Sequence, residues 1–156
     1  MDGNVVTTER TIHSPPDAIF DLLADASRHP DIDGSGAVKK AKEEPRRLGL
    51  GDKFGMSMHQ GIGYSMVNTV IEFEENRRIA WQSNISGPLG RFIGGRIWRY
   101  ELEPVDGGTL VRESWDIGQD HQRPFLKLGK LPTTTKSNMD KTLVRIGELT
   151  SPPAGP

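Results

Sequence analysis

The stretch KSNMDKTLVRIGELT, from Lys136 to Thr150, predicts the element against which the rest of the chain packs. Its apolar residues recur at helical spacing and are Met139, Leu143, Ile146 and Leu149. Spacings of four, three and three residues place them on one stripe of an α-helix. A one-faced helix of this length is unstable alone in water, so the stretch predicts a broad apolar surface for it to pack against.

The ends of this helix are marked by prolines and hydroxyl groups. Pro132 stands where a helix can begin but not continue, residues 133–137 offer several hydroxyl N-caps, and Pro152 with Pro153 ends the helix. Most of the chain before it has the residue pattern of strands. We therefore predict a curved antiparallel sheet closed around this helix.

The composition describes one domain with balanced charge. The chain has 156 residues, with 20 Lys+Arg against 21 Asp+Glu and a formal net charge of -1. That length suits one domain, and this charge predicts no basic field for nucleic acid or an anionic membrane surface. The absence of cysteine excludes disulfides, thiolate chemistry and cysteine–metal sites. The polar N-terminus does not resemble a signal peptide and no apolar run could span a bilayer, so we expect a soluble cytosolic protein.

The first forty residues predict one strand and two short helices. Val5–Ile12 is rich in β-branched residues, and Ser14 is the expected N-cap of a helix with Pro15 at its first position. The apolar stripe of that helix is Ala18, Ile19, Leu22 and Leu23, with Phe20 on its flank. Asp25–Arg28 predicts a second helical turn that Pro30 stops, and the HPDIDGSG run has the composition of a loop.

The middle of the chain predicts strands. The charged segment Val38–Glu44 is typical of an edge strand, and Gly61 with Gly63 marks a turn or bulge. Lys53–His59 predicts a strand whose alternating apolar residues are Phe54, Met56 and Met58.

Two hairpins follow, and their registers are predicted with different precision. Met66–Glu74 and Arg78–Ile85 form the first, and a three-residue loop would pair Phe73 with Ile79 and Ile71 with Trp81, although a shift by one residue stays open.

The second hairpin joins Arg96–Val105 to Gly108–Ile117 through an Asp-Gly turn. This turn pairs Trp98 with Trp115, Tyr100 with Glu113 and Leu102 with Val111 on one face, and Glu101 with Arg112 on the other. The opposite charges suit an exposed face, so the aromatic face should be the one that contacts the helix.

The order of these elements resembles the helix-grip fold of the START/Bet v 1-like (SRPBCC) superfamily, in its bacterial polyketide cyclase/dehydrase and lipid-transport branch. The segments that carry the likeness are HSPPDAIFDLLADASRHPDIDG, GLGDKF, VIEFEENRRIAWQ, RYELEPVDGGTLVRESW and NMDKTLVRIGEL. One departure is Ile32, where relatives often carry a tryptophan. The resemblance implies an α+β fold in which six or seven antiparallel strands wrap around the long C-terminal helix, with two short helices after the first strand. Residues 1–150 would form this single domain and residues 151–156 a disordered tail.

The resemblance also implies a cavity for a small hydrophobic ligand between the sheet and the C-terminal helix. The candidate ligand-binding residues are Phe54, Met56, Met58, Ile71, Trp81, Arg96, Trp98, Trp115, Met139 and Leu143. Aromatic side chains would supply flat apolar surface and Arg96 would orient the ligand, although the tryptophans would serve equally as plain core. The glycine-rich loop Gly87–Gly95 is interpreted as a flap at the cavity mouth, opposite residues 61–64.

Tyr100 and Glu113 are the candidate catalytic pair. A carboxylate beside a tyrosine hydroxyl on an apolar face could act as general acid or base on a carbonyl compound, unless the strand twists and Glu113 reaches solvent. His29, Asp31 and Asp33 lie close together, but loop residues of these types more often form turns, so we predict no metal site and no cofactor.

Three classes of function are consistent with these features. The leading one is a binder or carrier of a small hydrophobic molecule such as a lipid or polyketide. The second is a cyclase or dehydratase-like enzyme that uses Tyr100 and Glu113. The third, a co-chaperone-like interaction module, calls for an exposed apolar patch or a basic face, and we find neither in the sequence. We expect a monomer or weak homodimer without integral membrane association.

Overall fold

The computed structural model describes residues 3–41, 44–60 and 62–151, and the side chains of residues 39–41 and 60 are outside the description. Within these ranges there are seven strands, namely β1 (Val5–Ile12), β2 (Val38–Ala41), β3 (Lys53–Gln60), β4 (Ile62–Glu74), β5 (Arg78–Ile85), β6 (Gly94–Val105) and β7 (Gly108–Asp116). The helices are α1 (Pro16–Leu23), α2 (His29–Ile32), α3 (Arg123–Leu126) and α4 (Leu131–Thr150), with 3-10 turns at Ala26–Arg28 and Pro88–Arg91.

The seven strands form one antiparallel sheet in the order β1-β7-β6-β5-β4-β3-β2. The long helix α4 packs against one face of this sheet, which we call the inner face, through Leu143 and Ile146. This arrangement confirms the predicted α+β helix-grip architecture. Among the described residues, no helix is both long and apolar enough to cross a bilayer.

The C-terminal helix confirms the predicted stripe at three of its four positions. Met139, Leu143 and Ile146 are at most 2 % exposed, but Leu149 is 48 % exposed. Successive residues rotate by about 100° around a helix, so Leu149 lies roughly 80° to one side of Met139, at the edge of the buried stripe. It is also the last residue but one of the helix. The helix also begins earlier than predicted, at Leu131, with Pro132 in its first turn and no side-chain cap.

The first helix corrects two predictions. It begins at Pro16, and Pro15 occupies the N-cap position without a side-chain hydrogen bond. Because Pro16 is the first helical residue, Ser14 lies one residue too far out to cap it; its carbonyl instead accepts a hydrogen bond from Thr109 Oγ1 at 2.8 Å. Phe20, predicted on the flank of the apolar stripe, is fully buried and contacts Phe73 edge-on.

The segment predicted as a loop after Arg28 is helical in its first half. Residues His29–Ile32 form α2, and Pro30 is accommodated in its first turn, where its missing N–H is not needed. His29 keeps helical angles although it precedes a proline, because its ring is buried and its Nε2 bonds the carbonyl of Leu23 at 2.8 Å. The helical turn predicted at Asp25–Arg28 is a 3-10 turn over Ala26–Arg28, with Asp25 as its N-cap residue.

The register of the β4–β5 hairpin is partly corrected. Phe73 faces Ile79 as predicted, but Trp81 faces Val70, because a bulge at Ile71 shifts the register. Backbone hydrogen bonds join Val70 to residues 51 and 52, at 2.9 Å each, and so hold the strand at that point. These contacts are remote in sequence, so the hairpin pattern alone did not reveal the bulge.

The β6–β7 register is confirmed at every predicted pair. The charged residues on its outer face bond to the next strands instead of to each other. Arg112 Nη2 lies 3.1 Å from Glu9 Oε2, and Glu101 Oε2 lies 3.4 Å from Arg78 Nη2.

The remaining predictions concern the edge strand, one turn and the tail. Strand β2 is at the sheet edge as predicted, and its expected continuation at residues 42–43 lies outside the described residues. Gly61 and residues 152–156, which the sequence assigned to a turn and a disordered tail, also lie outside them.

Candidate functional site

The part of the inner face under α2 is filled by aromatic side chains. Trp81 stacks on His29 at a centroid distance of 4.7 Å and an interplanar angle of 21°. The rings of Phe54 and Tyr100 each lie 5.6 Å from Trp81. Burial lowers the pKa of His29 to about 4, so its imidazole is neutral near pH 7. This closed half of the inner face is core, and it leaves little room for a ligand.

The other residues of the rejected metal cluster have partners of their own. Asp31 Oδ2 accepts a hydrogen bond from Arg28 Nε at 2.9 Å. Asp33 Oδ2 accepts one from the backbone N–H of Val38 at 2.8 Å. Asp31 and Asp33 therefore serve the local structure of the turn after α2.

Tyr100 and Glu113 form the buried polar pair that their cross-strand register predicts. The tyrosine hydroxyl donates to Glu113 Oε1 at 2.8 Å, and Glu113 is 2 % exposed. Glu113 Oε2 is buried and has no hydrogen-bond partner among the described residues. This geometry rules out the alternative in which the strand twists Glu113 into solvent.

The electrostatics of this pair favour a protonated carboxyl. The pKa of Glu113 is raised from 4.5 to about 8. Burial is the main cause, the hydrogen bond from Tyr100 opposes the shift, and the nearby charges of Asp33 and Asp140 add to it. Burial also raises the pKa of Tyr100 well above its usual value. A carboxyl that titrates near pH 8 can either donate or accept a proton under neutral conditions.

The rest of the inner face is open. Five large side chains there are only half-buried, and they are Met58, Tyr64, Met66, Ile85 and Trp98. The ladders place Met58 opposite Tyr64 and Met66 opposite Ile85, so four of these residues form neighbouring rows on β3, β4 and β5. We call these five residues the open half of the inner face.

Polar groups lie between these rows and the aromatic core. Ser83 Oγ donates a hydrogen bond to Asn68 Oδ1, and both side chains are buried. Arg96, which faces Ser83 across the ladder, bonds the fully buried side chain of Asp120 at 2.9 Å and stays 26 % exposed. These groups could orient a polar end of a ligand that covers the apolar rows.

The ten candidate ligand-binding residues are distributed over several parts of the fold. Packed core contains Phe54, Met56, Trp81 and Leu143; a smaller cluster contains Trp115 and Met139; half-buried positions contain Met58, Ile71, Arg96 and Trp98. Of the half-buried group, Ile71 lies in the β4 bulge and has no partner in the row of Trp81. Tyr64, Met66 and Ile85 share the inner face but were not among the candidates, although the register of β3 against β4 could have placed the first two on that face.

The predicted flap Gly87–Gly95 contains the 3-10 turn Pro88–Arg91 and is tied to the chain before α3. Gln122 Nε2 donates to the carbonyl of Phe92 at 2.7 Å, and Gln122 Oε1 accepts from the backbone N–H of Gly94 at 2.9 Å. On its other side, Ser86 N–H donates to the carbonyl of Ser65 at 3.0 Å. The loop therefore lies at the end of the sheet where the open half ends.

Two surface grooves have a different character. One of about 720 Å³ lies between β1 and α4, and another of about 290 Å³ lies over the hairpin ends of β4 to β7. Glu9, Asp140 and Lys141 line the first, and Arg78 and Glu101 line the second. Charged side chains predominate in both grooves, which does not suit a hydrophobic ligand.

Comparison with known proteins agrees with this architecture. A family model described as "Polyketide cyclase / dehydrase and lipid transport" matches residues 4–149. The uncharacterized protein Rv0088 of Mycobacterium tuberculosis is 32 % identical over 143 residues, which cover 88 % of this chain and 60 % of that protein. The chain thus spans about 60 % of the length of the curated relatives it matches.

Solved structures show the same fold at low identity. Protein CV1439 from Chromobacterium violaceum has a TM-score of 0.72 at 14 % identity, covering 96 % of this chain and 98 % of that one. Protein Ms6760 from Mycobacterium smegmatis has a TM-score of 0.70 at 15 % identity, and the match covers 95 % of this chain and 91 % of that one. With the family model matching almost the whole length, the chain belongs to the polyketide cyclase/dehydrase and lipid transport family of the START/Bet v 1-like superfamily.

Proposed function

We propose that the protein binds a small hydrophobic molecule, such as a lipid or an aromatic polyketide, on the open half of the inner face. The observation that carries the proposal is a group of half-buried large side chains on the inner face, Met58, Tyr64, Met66, Ile85 and Trp98. Met58 and Trp98 also pack against the edge of the buried core, so the group continues from that core. When an apolar ligand covers apolar surface that is exposed inside a curved sheet, water is released and the free energy of the complex is lowered. Membership of a lipid transport and cyclase family supports the same ligand class.

The polar groups beside this surface suggest what part of the ligand they contact. Arg96 already bonds a buried carboxylate, so its remaining donors suit a hydroxyl or carbonyl oxygen more than a second full negative charge. A ligand with a mostly apolar body and one oxygen-bearing end fits this arrangement best.

Binding is tested by truncating one side chain inside the open half and one outside it. We expect Met66→Ala to weaken binding of fatty acids or polyphenolic polyketide mimics roughly tenfold, because it removes apolar contact area. The matched control is Ile71→Ala, since Ile71 is also half-buried on β4 but lies in the bulge. Titration calorimetry and tryptophan fluorescence would measure both affinities. Equal losses in the two variants would contradict the proposed site.

A second function is favoured by the buried acid pair. Glu113 has an unpartnered oxygen and a pKa raised by burial to about 8, which suits a general acid or base in a cyclase or dehydratase-like reaction. Tyr100 and Glu113 form the row next to Trp98 and Trp115, so a ligand that displaces the Trp98 ring would approach them. We propose this activity as the alternative to a carrier.

Shape-conserving changes separate the two functions. In an enzyme, Glu113→Gln and Tyr100→Phe should each lower kcat roughly 100-fold or more while ligand affinity stays near that of the wild type. In a carrier, the same changes should alter affinity only by about the value of one hydrogen bond. The assay requires a polyketide-like carbonyl substrate that the wild-type protein converts. Unchanged kcat in both variants would exclude this pair from catalysis.

A further inference from the structure

The loops at the end of the open half expose large apolar side chains. On the β5–β6 loop, Leu89 is 58 % exposed and Phe92 is 64 % exposed. In the segment from α3 to the start of α4, Phe125 is 72 %, Leu128 is 64 % and Leu131 is 41 % exposed. We call residues 88–92 and 123–131 together the mouth loops.

The mouth loops form one surface. Gln122, directly before α3, hydrogen-bonds the backbone of both Phe92 and Gly94, and His121 N–H donates to the carbonyl of Gly94 at 3.0 Å. Leu126 points the other way and packs on the cluster that contains Trp115, with Trp98 packed against the same cluster. The exposed side chains therefore lie beside the open half and outside the core.

The charge of this surface is one-sided. The mouth loops carry the cations Arg91, Arg123, Lys127 and Lys130, and residues 86–95 and 121–131 contain no aspartate or glutamate. None of these four cations is within salt-bridge distance of a carboxylate in the described part of the chain. The chain as a whole has a formal charge of -1, so its net charge gives no indication of this local basic surface.

We propose that the mouth loops dock the protein on anionic lipid bilayers. Exposed aromatic and leucine side chains among lysine and arginine suit the bilayer interface, where the apolar groups enter the acyl boundary and the cations contact lipid phosphates. A second copy of this chain fits less well, because two such surfaces would bring eight cations together. Docking there would place the open half against the bilayer; the exchange of a ligand at that point rests on the proposed function, whereas docking itself does not.

Vesicle co-sedimentation of the full chain without added ligand tests the proposal. We expect binding to vesicles of phosphatidylcholine with phosphatidylglycerol, much weaker binding to pure phosphatidylcholine, and a loss of binding as salt concentration rises. Replacing Lys127 and Lys130 by glutamine should weaken the partition coefficient about fivefold for each cation removed. Lys141→Gln is the matched control, because Lys141 is exposed on α4 away from the mouth loops.

The apolar contribution is tested separately. Phe92→Ser and Phe125→Ser should each reduce vesicle binding at least tenfold, whereas Leu149→Ser, at a 48 % exposed site on α4, should leave it unchanged. All these side chains are exposed, so thermal unfolding should stay near that of the wild type.

Three outcomes would overturn the proposal. The first is no vesicle binding by folded wild-type protein, and the second is equal loss of binding in the Lys141 or Leu149 controls. The third is a concentration-dependent dimer, measured by light scattering, that Phe92→Ser abolishes while vesicle binding persists, because the mouth loops would then be a self-association surface. If any of these outcomes occurred, the docking proposal would fail, but the ligand-binding test with Met66→Ala would still stand because it uses no membrane.

Discussion

Replacing Leu143 by alanine is expected to lower the free energy of unfolding by about 2–5 kcal/mol, the cost of a large-to-small change in a packed core. Leu143 is 1 % exposed and belongs to the same buried cluster as Val111, Tyr100 and the apolar residues of the first helix. The helix cannot move closer to refill the space, because Ile146, one turn along the same stripe, is also fully buried. Denaturant unfolding with an unchanged m-value would measure the loss as a shift in midpoint.

Leu149→Ala is the matched control on the same helix. Leu149 is 48 % exposed, so its truncation should change stability by no more than about 0.5 kcal/mol. If both variants unfolded at the same denaturant midpoint, α4 would not be the element that holds the inner face of the sheet.

The buried carboxyl of Glu113 should make the protein less stable as pH rises. Burial raises its pKa from 4.5 to about 8, so the folded state holds a proton that the unfolded state releases above pH 4.5. The stability that this proton provides is complete below pH 4.5 and is lost as pH rises through 8. His29 acts in the opposite sense: burial lowers its pKa from 6.5 to about 4, so its contribution is complete above pH 6.5.

The window above pH 6.5 therefore isolates Glu113. Between pH 6.5 and pH 9 we expect the free energy of unfolding of the wild type to fall by about 2 kcal/mol. Glu113→Gln cannot ionise and should remove this slope, which chemical denaturation at several pH values would show. Glu72→Gln is the control: its hydrogen bonds with Arg99 lower the pKa of Glu72, so its ionisation affects only acidic pH and the slope should stay. A wild-type stability that is flat across the window would mean that Glu113 is solvated or paired in solution.

Local patterns were sufficient wherever adjacent residues decide the structure. The Asp-Gly turn between β6 and β7 admits one register, so the facing pairs Trp98–Trp115 and Tyr100–Glu113 could be predicted without any tertiary contact. The same holds for the buried stripe of α4, since the rotation per residue is a property of the helix itself. These two elements were enough to predict which face of the sheet contacts the helix and that Tyr100 and Glu113 lie together on that face.

Contacts between distant segments decided the rest. The bulge at Ile71 depends on backbone bonds from Val70 to residues 51 and 52. The helical turn at His29 goes with the burial of its ring, which bonds the carbonyl of Leu23 and stacks on Trp81. Whether an inner-face residue is covered depends on how far α2 and α4 extend over the sheet. The alternation of residues in a strand predicts which face a residue lies on, but it does not predict this coverage. For this reason Met66 and Ile85 were not among the predicted ligand residues.

The β6–β7 register, the pairing of Tyr100 with Glu113 and three of the four stripe positions of α4 could be read from the sequence, because each follows from spacing within one helix or one hairpin. The class of fold followed from the order of the elements and from the family resemblance. Three features came from the folded structure alone: Glu113 is buried, half of the inner face is filled, and four cations and five exposed apolar side chains meet at the mouth loops. Burial and surface charge are sums over segments that are far apart in the chain. Residues 88–92 and 123–131 form one surface because Gln122, next to the second segment, hydrogen-bonds the backbone of Phe92 and Gly94. The net charge of a chain is a sum over all its residues and therefore does not reveal such a local surface.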